Sequence, residues 1–250
     1  MSSNILKLIA CLTMLCDHIG YCMQFYRIGD YETQNILRII GRISFPIFAF
    51  LLAEGFKHTK NVTRYASRLL LAGLISEIPY NLCAHGVLRY NGLNVIFTFL
   101  TALLALTFTE MCIKNSKKEI RWLFPVPILA ACFIAQNTEQ DYGYWGIILV
   151  FMFYLVDADV IKRKLLLIPA MLIFAARGYI EGYIFNRDVN SWEKIQLFSA
   201  LAVIPLLMYN GKIGNGTKPK VVKKIIQYLF YLFYPVHLLL LYYIFRYLIR

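Results

Sequence analysis

Residues 4–26 read NILKLIACLTMLCDHIGYCMQFY, a single and mostly apolar run. A helix that crosses a bilayer needs about 20 such residues. In lipid every backbone polar group must be bonded internally, which favours helices, and the short alternating strands of an outer-membrane barrel are not evident. The sequence therefore predicts an all-α, polytopic integral membrane protein, a helical bundle of about nine transmembrane helices in a single domain over 1–250. The further apolar runs lie at 36–56, 65–84, 94–113, 120–136, 141–157, 164–184, 195–210 and 225–247.

The composition excludes an ordinary soluble domain. Of the 250 residues, 59% are hydrophobic and only 16% are charged, and the mean hydropathy is +0.58. Soluble domains average about 45–50% apolar and about 25% charged residues. The net charge of +12 would elsewhere suggest a nucleic-acid partner, but most basic residues stand in short segments between the apolar runs. We therefore expect no nucleic-acid partner and attribute the charge to membrane topology.

The basic residues concentrate in the segments that follow the second, fourth, sixth and eighth runs. Short cytoplasmic loops carry an excess of Lys and Arg, so this pattern predicts a cytoplasmic N-terminus. Prolines inside the runs predict kinked or broken helices, because each proline removes a backbone donor. These prolines are Pro46, Pro79, Pro125, Pro127, Pro169, Pro205 and Pro235.

Polar side chains within the apolar runs are the candidate functional residues. Charged groups inside a bilayer are costly, usually face the bundle interior and mark functional sites by default. Asp17 and His18 lie side by side in the first run, and Asn94 and Asp141 open the fourth and sixth runs. The remaining candidates are Arg42 and Glu54 in the second run, Glu77 in the third and His237 in the last.

The first helix places Lys7 and His18 on one face. They are three turns apart, about 16 Å of rise, so Lys7 lies at the cytoplasmic boundary when His18 is near the midplane. A histidine there is suited to act as a general base. The alternative is a structural histidine that hydrogen-bonds to another helix. Asp17 points about 100° away from His18, so we expect it to serve a partner on a different helix.

The segment 54–68, EGFKHTKNVTRYASR, is the most basic short stretch beside this candidate site. Arg64 and Arg68 share a helix face and suit the binding of a pyrophosphate or a 3′-phosphate. Topology alone would equally explain their presence. The six cysteines are scattered with no CxxC pair, so the sequence indicates neither a disulfide framework nor a metal site.

Eight motifs, two of them within the stretch 6–20, are spread over nearly the whole chain. The most specific are Cys-Asp-His-Ile-Gly at 16–20, Arg-Ile-Ser-Phe-Pro-Ile-Phe at 42–48 and Tyr-Pro-Val-His at 234–237. The others are Leu-Lys-Leu-Ile-Ala at 6–10, Tyr-Ala-Ser-Arg-Leu-Leu at 65–70, Ser-Glu-Ile-Pro-Tyr-Asn-Leu at 76–82, Asn-Val-Ile-Phe-Thr at 94–98 and Asp-Tyr-Gly at 141–143. Together these motifs resemble the TraX family. That resemblance implies a link to N-terminal acetylation of conjugative pilin and a similarity to transmembrane acyltransferases that use cytoplasmic acetyl-CoA.

The same resemblance implies roles for individual residues. In the wider class, ten residues separate a basic residue from the catalytic histidine on the first helix. Lys7 and His18 match that spacing, with Lys in place of the more usual Arg. An arginine-rich stretch entering the third helix is also typical, and Arg64 and Arg68 resemble it. The resemblance thus implies His18 as catalytic base and Arg64 and Arg68 as coenzyme A ligands. We expect the coenzyme A site to include Lys7, Glu54, Lys57 and His58 as well. The resemblance does not imply that pilin is the substrate of this protein.

We therefore predict a multi-pass acetyltransferase of the bacterial cytoplasmic (inner) membrane, embedded in lipid and without a metal. It would move an acetyl group from cytoplasmic acetyl-CoA to a hydroxyl or amine of an envelope glycan, peptide or pilin-like protein on the outer side. His18 would be the base and Arg42 would stabilise the oxyanion. A polar cluster would orient the base, with members drawn from Asp17, Glu77, Asn94, Asp141 and His237.

Two other functions remain open at this point. One is a proton-coupled transporter, in which the same intramembrane groups form a relay. No inverted repeat, which many transporters carry, is visible in the sequence, and this counts against that function. The other is a non-catalytic envelope assembly protein, which would not bind acetyl-CoA.

Overall fold

The computed structural model describes residues 1–88, 92–156, 164–212, 214 and 219–248. This part of the chain contains helices and no β-strand, and one isolated bridge joins Leu93 to Gln140. The predicted all-α class is confirmed. Parts of two basic loops behind the topology prediction, 157–163 and 215–218, lie outside the described residues. The α-helices in chain order are α1 Ser3–Tyr26, α2 Tyr31–Gly41, α3 Ser44–His58, α4 Val62–His85, α5 Val95–Ile113, α6 Lys118–Arg121, α7 Val126–Asn137, α8 Gly143–Leu155, α9 Leu167–Ala175, α10 Arg177–Ile184, α11 Ser191–Ile195, α12 Val203–Leu207 and α13 Lys220–Tyr243.

Two segments of other helical types accompany these helices. A 3₁₀ segment, Gln196–Ala202, lies between α11 and α12, and a π segment, Ile244–Leu248, follows α13.

Five stretches of the described chain are long and apolar enough to cross a membrane. Helices α9 and α10 bend by 55° at their junction, and counting this pair as one broken span gives six. The predicted count of nine spans is therefore not confirmed, although the membrane class is. The five stretches are Ser3–Tyr26, Tyr31–His58, Val95–Ile113, Lys118–Asn137 and Val221–Tyr247.

Three predicted spans differ from the structure for separate reasons. The run 65–84 forms the continuous helix α4, but it is not among the stretches apolar enough to cross a membrane, because charged and polar residues interrupt it. The run 141–157 yields only α8, whose 13 residues rise about 20 Å and fall short of a bilayer core of about 30 Å. The run 195–210 divides into a 3₁₀ segment and the five-residue helix α12.

The prolines interrupt fewer helices than predicted. Pro79 and Pro235 lie inside the continuous helices α4 and α13. Pro125 is the N-cap of α7, and Pro46 lies in the first turn of α3. The first turn tolerates proline because its N–H groups have no intrahelical partner. Most of the predicted breaks therefore become helix starts or tolerated interior positions.

The chain divides into two compact units, 1–48 with 79–88 and 156–250, and 49–78 with 89–155. In the first unit α1 packs along α2, and Phe45 stacks on Phe174 with ring centroids 5.6 Å apart. In the second unit α5, α7 and α8 pack together, and Phe50 meets Phe153 edge to face at 5.7 Å. The single domain over 1–250 stays a prediction.

Large apolar side chains also cover outward faces of the helices. Leu8 and Leu12 on α1 are about half exposed, and Phe133 on α7 is 71% exposed. Extended apolar surface of this kind is rare in soluble monomers and marks contact with a membrane or a partner. These faces agree with a chain surrounded by lipid.

Candidate functional site

Two histidines that are far apart in the sequence meet inside the first unit. Nδ1 of His18, on α1, lies 2.7 Å from Nε2 of His237, on α13. The ring centroids are 4.9 Å apart and the ring planes are inclined by 20°. His237 is buried, with 5% of its surface exposed, whereas His18 is partly exposed. A hydrogen bond between the rings thus joins α1 to α13.

The hydrogen bonds of His237 fix the tautomer of both rings. Nδ1 of His237 lies 2.6 Å from the carbonyl oxygen of Phe233. Because a carbonyl only accepts, the Nδ1 atom of His237 carries the proton, and Nε2 of the neutral ring is an acceptor. Nδ1 of His18 must then donate to that acceptor, which leaves a lone pair on Nε2 of His18. A general base needs such a lone pair.

Aromatic rings surround the two histidines. Phe233 stacks on His237 with ring centroids 4.7 Å apart. Tyr234 lies 6.2 Å from His18 and 5.9 Å from His237, measured between ring centroids. Phe233 precedes His237 by one turn of α13, so one residue supplies both the carbonyl acceptor and the stacked ring. Close packing of this kind restricts ring rotation and keeps the Nε2 lone pair of His18 pointing in one direction.

Asp17 faces α2 rather than the neighbouring His18. Its carboxylate pairs with Arg38 at 2.8 Å and with the Nη2 atom of Arg42. Arg38 also donates to the backbone oxygen of Asp17 at 3.3 Å, and Nε of Arg42 donates to the backbone oxygen of Arg38 at 3.1 Å. No more than 14% of any of the three side chains is exposed. We call Asp17, Arg38 and Arg42 the ion cluster.

Arg38 is the member of the ion cluster that the sequence prediction missed. Its guanidinium lies 5.2 Å from the ring centroid of Tyr21 and 4.4 Å from that of Trp192, within the range of cation–π attraction. The signal that points to Arg38 is its spacing of four residues from Arg42, since residues i and i+4 share a helix face.

Trp192 is held against Arg38 by a short, well-capped helix. Asn190 and Glu193 form a reciprocal capping box at the start of α11. Arg187 binds carboxylate oxygens of Glu181 and Glu193, each at 2.7 Å. The Arg187 guanidinium beside Glu193 holds the pKa of that carboxyl below its ordinary value. The loop after α10 is therefore anchored next to the ion cluster.

Two glycines allow α1 and α2 to approach each other at the ion cluster. A Cβ atom at Gly41 would collide with the Cβ atom of Asp17. A Cβ atom at Gly20 would lie 2.9 Å from that of Leu37 and 3.0 Å from the backbone oxygen of Gln34. Small residues at the interface of transmembrane helices permit this close approach.

We expect Gly41→Ala to destabilise the first unit, because two arginines hold Asp17 where the new methyl group would lie. Overpacking of this kind costs about 1–3 kcal/mol. The check is the thermal unfolding midpoint of the purified protein in detergent. Gly55→Ala is the matched control, since its closest neighbour is the hydroxyl of Tyr65 at 3.2 Å, the end of a movable side chain. Equal midpoints for Gly41→Ala and the parent protein would contradict this account of the α1–α2 contact.

Glu77, Asn94 and Asp141 lie in the second unit. Nδ2 of Asn94 donates to the Glu77 carboxylate at 2.5 Å and to the backbone oxygen of Gly73 at 2.9 Å. Asn94 also caps α5, because its side chain accepts from the backbone N–H of Ile96. The backbone oxygen of Asp141 accepts from the hydroxyl of Thr98 at 2.6 Å. These contacts clamp α4 to the start of α5, and a catalytic role for the three residues stays a prediction.

The residues predicted to bind coenzyme A are distributed over α1, α3 and α4. Lys7 lies over the ring of Phe230 at 5.5 Å from its centroid. The buried carboxylate of Glu54 lies 3.2 Å from Nε2 of His58, and Lys57 lies over Tyr154 at 5.9 Å. Arg64 is exposed and Arg68 lies over Tyr65 at 5.6 Å, one turn later on α4.

The contacts bring the predicted site residues together in separate sets. His18 meets His237, Asp17 meets Arg42, and Glu77 meets Asn94. The first two sets belong to the first unit and the third set to the second unit. The histidine pair is the set in which a basic lone pair is left available, and it is the centre of the candidate site.

Comparison with known proteins agrees with the motifs of the chain. The family model described as TraX protein matches residues 2–245. The probable fimbrial assembly protein FimC, serogroup H1, of Dichelobacter nodosus is 30% identical over 251 aligned residues, covering 94% of this chain and 92% of that protein. No solved structure matches the chain.

Proposed function

Because the chain belongs to the TraX family, we propose that it is a membrane-embedded acetyltransferase with His18 as its general base. It transfers the acetyl group of cytoplasmic acetyl-CoA to a hydroxyl or amine of an envelope component on the outer side of the bacterial cytoplasmic membrane. The description of its relative as a fimbrial assembly protein supports a pilin-like acceptor and a place in pilus assembly. An envelope glycan or peptide would offer the same nucleophiles.

One observation carries this proposal: the hydrogen-bonded chain from the Phe233 carbonyl through His237 to Nδ1 of His18. A base whose second nitrogen is held by a further group has a defined tautomer and direction, as in other acyl-transfer sites. Here a second imidazole holds the base, and a backbone carbonyl holds that imidazole.

In the proposed reaction Nε2 of His18 accepts the proton of the acceptor hydroxyl or amine. The freed oxygen or nitrogen forms a bond to the thioester carbonyl carbon, and the carbon–sulfur bond then breaks. The proton passes from Nε2 to the departing thiolate, so no proton is gained or lost overall. While His18 is charged, the Nε2 acceptor of His237 stabilises it through the hydrogen bond to Nδ1.

Other residues have supporting roles in the proposal. The ion cluster positions the middle of α1 against α2. Stabilisation of the oxyanion by Arg42 stays a prediction, because its Nε and Nη2 atoms already bind Arg38 and Asp17. Basic residues suit the phosphates of coenzyme A. Lys57, Arg64 and Arg68 of the second unit, with Glu54 and His58, are therefore proposed to bind the donor, and a part for Lys7 stays a prediction.

The hydrogen-bonded chain favours an enzyme over a proton-coupled transporter. A proton relay must take up a proton at one end and release it at the other. The series of hydrogen bonds through His237 ends at the carbonyl of Phe233, which accepts a hydrogen bond and has no proton to release. The pair therefore suits reversible uptake of a proton at Nε2 of His18 better than conduction through both rings.

The direct test is acetyl-CoA binding and slow thioester hydrolysis by the purified protein in detergent. Binding is measured as a rise in the unfolding midpoint with ligand concentration, and hydrolysis by mass spectrometry of the remaining acetyl-CoA. We expect both signals, because water can replace the acceptor at Nε2 of His18. Coenzyme A without the acetyl group is the control, since it should bind and release nothing. A folded sample that neither binds nor hydrolyses acetyl-CoA would exclude the enzyme and favour transport or a scaffold.

A further inference from the structure

Two thiols from different helices lie against each other in the first unit. Sγ of Cys22, on α1, is 3.4 Å from Sγ of Cys83, near the end of α4. Both cysteines are reduced and buried, with 0% and 2% of their surfaces exposed. A disulfide holds its sulfur atoms about 2.05 Å apart. Rotation of the two side chains through a small distance would therefore join them.

The adjacent residues already hold the two helix ends together. The hydroxyl of Tyr21 donates to the backbone oxygen of Ala84 at 2.6 Å. Tyr21 precedes Cys22 and Ala84 follows Cys83, so this hydrogen bond joins the residues next to the two thiols. This contact helps to keep the two thiols opposite each other.

The position of the pair along its helices determines its redox surroundings. Cys22 lies in the last two turns of α1, and Cys83 lies in the last turn of α4. With the cytoplasmic N-terminus predicted from the basic loops, α1 ends on the outer side of the membrane. Disulfides persist in the periplasm and outside the cell, whereas cytosolic thiols stay reduced.

We propose that Cys22 and Cys83 become joined by a disulfide that ties α1 to the end of α4. The oxidant is a disulfide-carrying thiol oxidase of the extracytoplasmic space. One cysteine thiolate attacks the oxidant's disulfide and displaces a thiolate, and the second cysteine attacks the resulting mixed disulfide. The chain loses two electrons and two protons, and the oxidant's disulfide becomes two thiols. Because both side chains are buried after packing, the exchange precedes the docking of α1 on α4.

The bridge would lie next to the histidine pair. His18 and Cys22 are one helical turn apart on α1 and share a face. A covalent link at Cys22 would therefore fix the segment of α1 that carries the base. The proposal does not depend on acetyl transfer, because it rests on the two sulfur atoms and the predicted side of the membrane.

The test is differential alkylation of the full chain taken directly from bacterial membranes. Free thiols are blocked with N-ethylmaleimide in denaturant, disulfides are then reduced, and the newly released thiols receive a heavier isotopic maleimide. We expect the heavy label on Cys22 and Cys83, and the light label on Cys11, Cys16, Cys112 and Cys132. The unreduced digest should contain the two cysteine peptides cross-linked, two hydrogen masses below their sum.

Two cysteine variants test whether Cys22 and Cys83 are the residues that are joined. Cys22→Ser should leave Cys83 with the light label, whereas Cys16→Ser, the matched control on the same helix, should leave the pair heavy. Light label on all six cysteines of the unmodified chain would overturn the proposal. A cross-link of either residue to any other cysteine would overturn it as well. The measurement uses no acetyl-CoA, so its failure and the failure of the proposed acetyltransferase are distinguishable.

Discussion

Replacing His18 with alanine is expected to lower the rate of acetyl transfer by about three orders of magnitude, within the range of about 10²–10⁴ contributed by general acid–base residues. The alanine variant has no group that can take the acceptor's proton. Acetyl-CoA binding should remain, because no donor-binding residue changes. The check is the rate of thioester hydrolysis and of acceptor acetylation by purified protein, measured beside the affinity for acetyl-CoA.

Two other histidines serve as comparisons for this variant. His237→Leu removes the acceptor for Nδ1 of His18, and we expect a smaller loss of about 10–100-fold, as for other residues that orient a functional imidazole. That loss should appear in kcat with both KM and the thermal unfolding midpoint unchanged, because a general loss of folding would lower the midpoint as well. His85→Ala should keep full activity, since His85 packs on Tyr80 with ring centroids 6.4 Å apart and has no part in the proposed reaction. Retained activity in His18→Ala would remove His18 from the mechanism.

Replacing Asp17 with leucine is expected to prevent stable folding of the first unit. The variant removes the carboxylate that pairs with both Arg38 and Arg42 in a buried setting. Breaking a buried ion pair by removing one partner costs about 3–5 kcal/mol, a large part of the stability of a typical protein. The check is the yield of detergent-soluble protein and the midpoint of its thermal unfolding.

Two further variants decide whether charge causes this effect. Asp188→Leu changes the same residue type at an exposed position and should leave the yield and midpoint near those of the parent. The triple variant Asp17→Leu, Arg38→Met, Arg42→Leu replaces the whole ion cluster by apolar side chains, which is often neutral for stability, and it should recover the yield. A stable Asp17→Leu variant, or a triple variant no better than Asp17→Leu, would show that the ion cluster does not stabilise the α1–α2 contact.

The extent of sequence prediction differs between residues of the same helix. The position of His18 on α1, with Lys7 three turns earlier, follows from helical periodicity and needs no other helix. The direction of Asp17 away from His18 follows from the same rule. Its partners do not, because Arg38 and Arg42 are placed opposite Asp17 only by the approach of α2, which Gly20 and Gly41 permit.

The helix count shows where local hydropathy stops being informative. An apolar run predicts a helix, and each predicted run overlaps at least one helix in the structure. Whether a run forms one straight span depends on its neighbours. The run 195–210 becomes a 3₁₀ segment and a short helix, whereas Pro79 and Pro235 remain inside continuous helices. Packing around each proline, rather than the proline alone, determines whether a helix breaks.

The sequence by itself determined that this chain is an all-α membrane protein of the TraX family with polar side chains inside its apolar first helix. Membrane insertion depends on hydropathy summed along a segment, and family motifs are also local. Membrane segments and family membership can therefore both be recognised from the sequence alone. Only the tertiary structure decided that His18 meets His237 across 219 positions and that Cys22 meets Cys83 across 61. Those contacts arise from the packing of separate helices, and no local pattern in either segment encodes its distant partner.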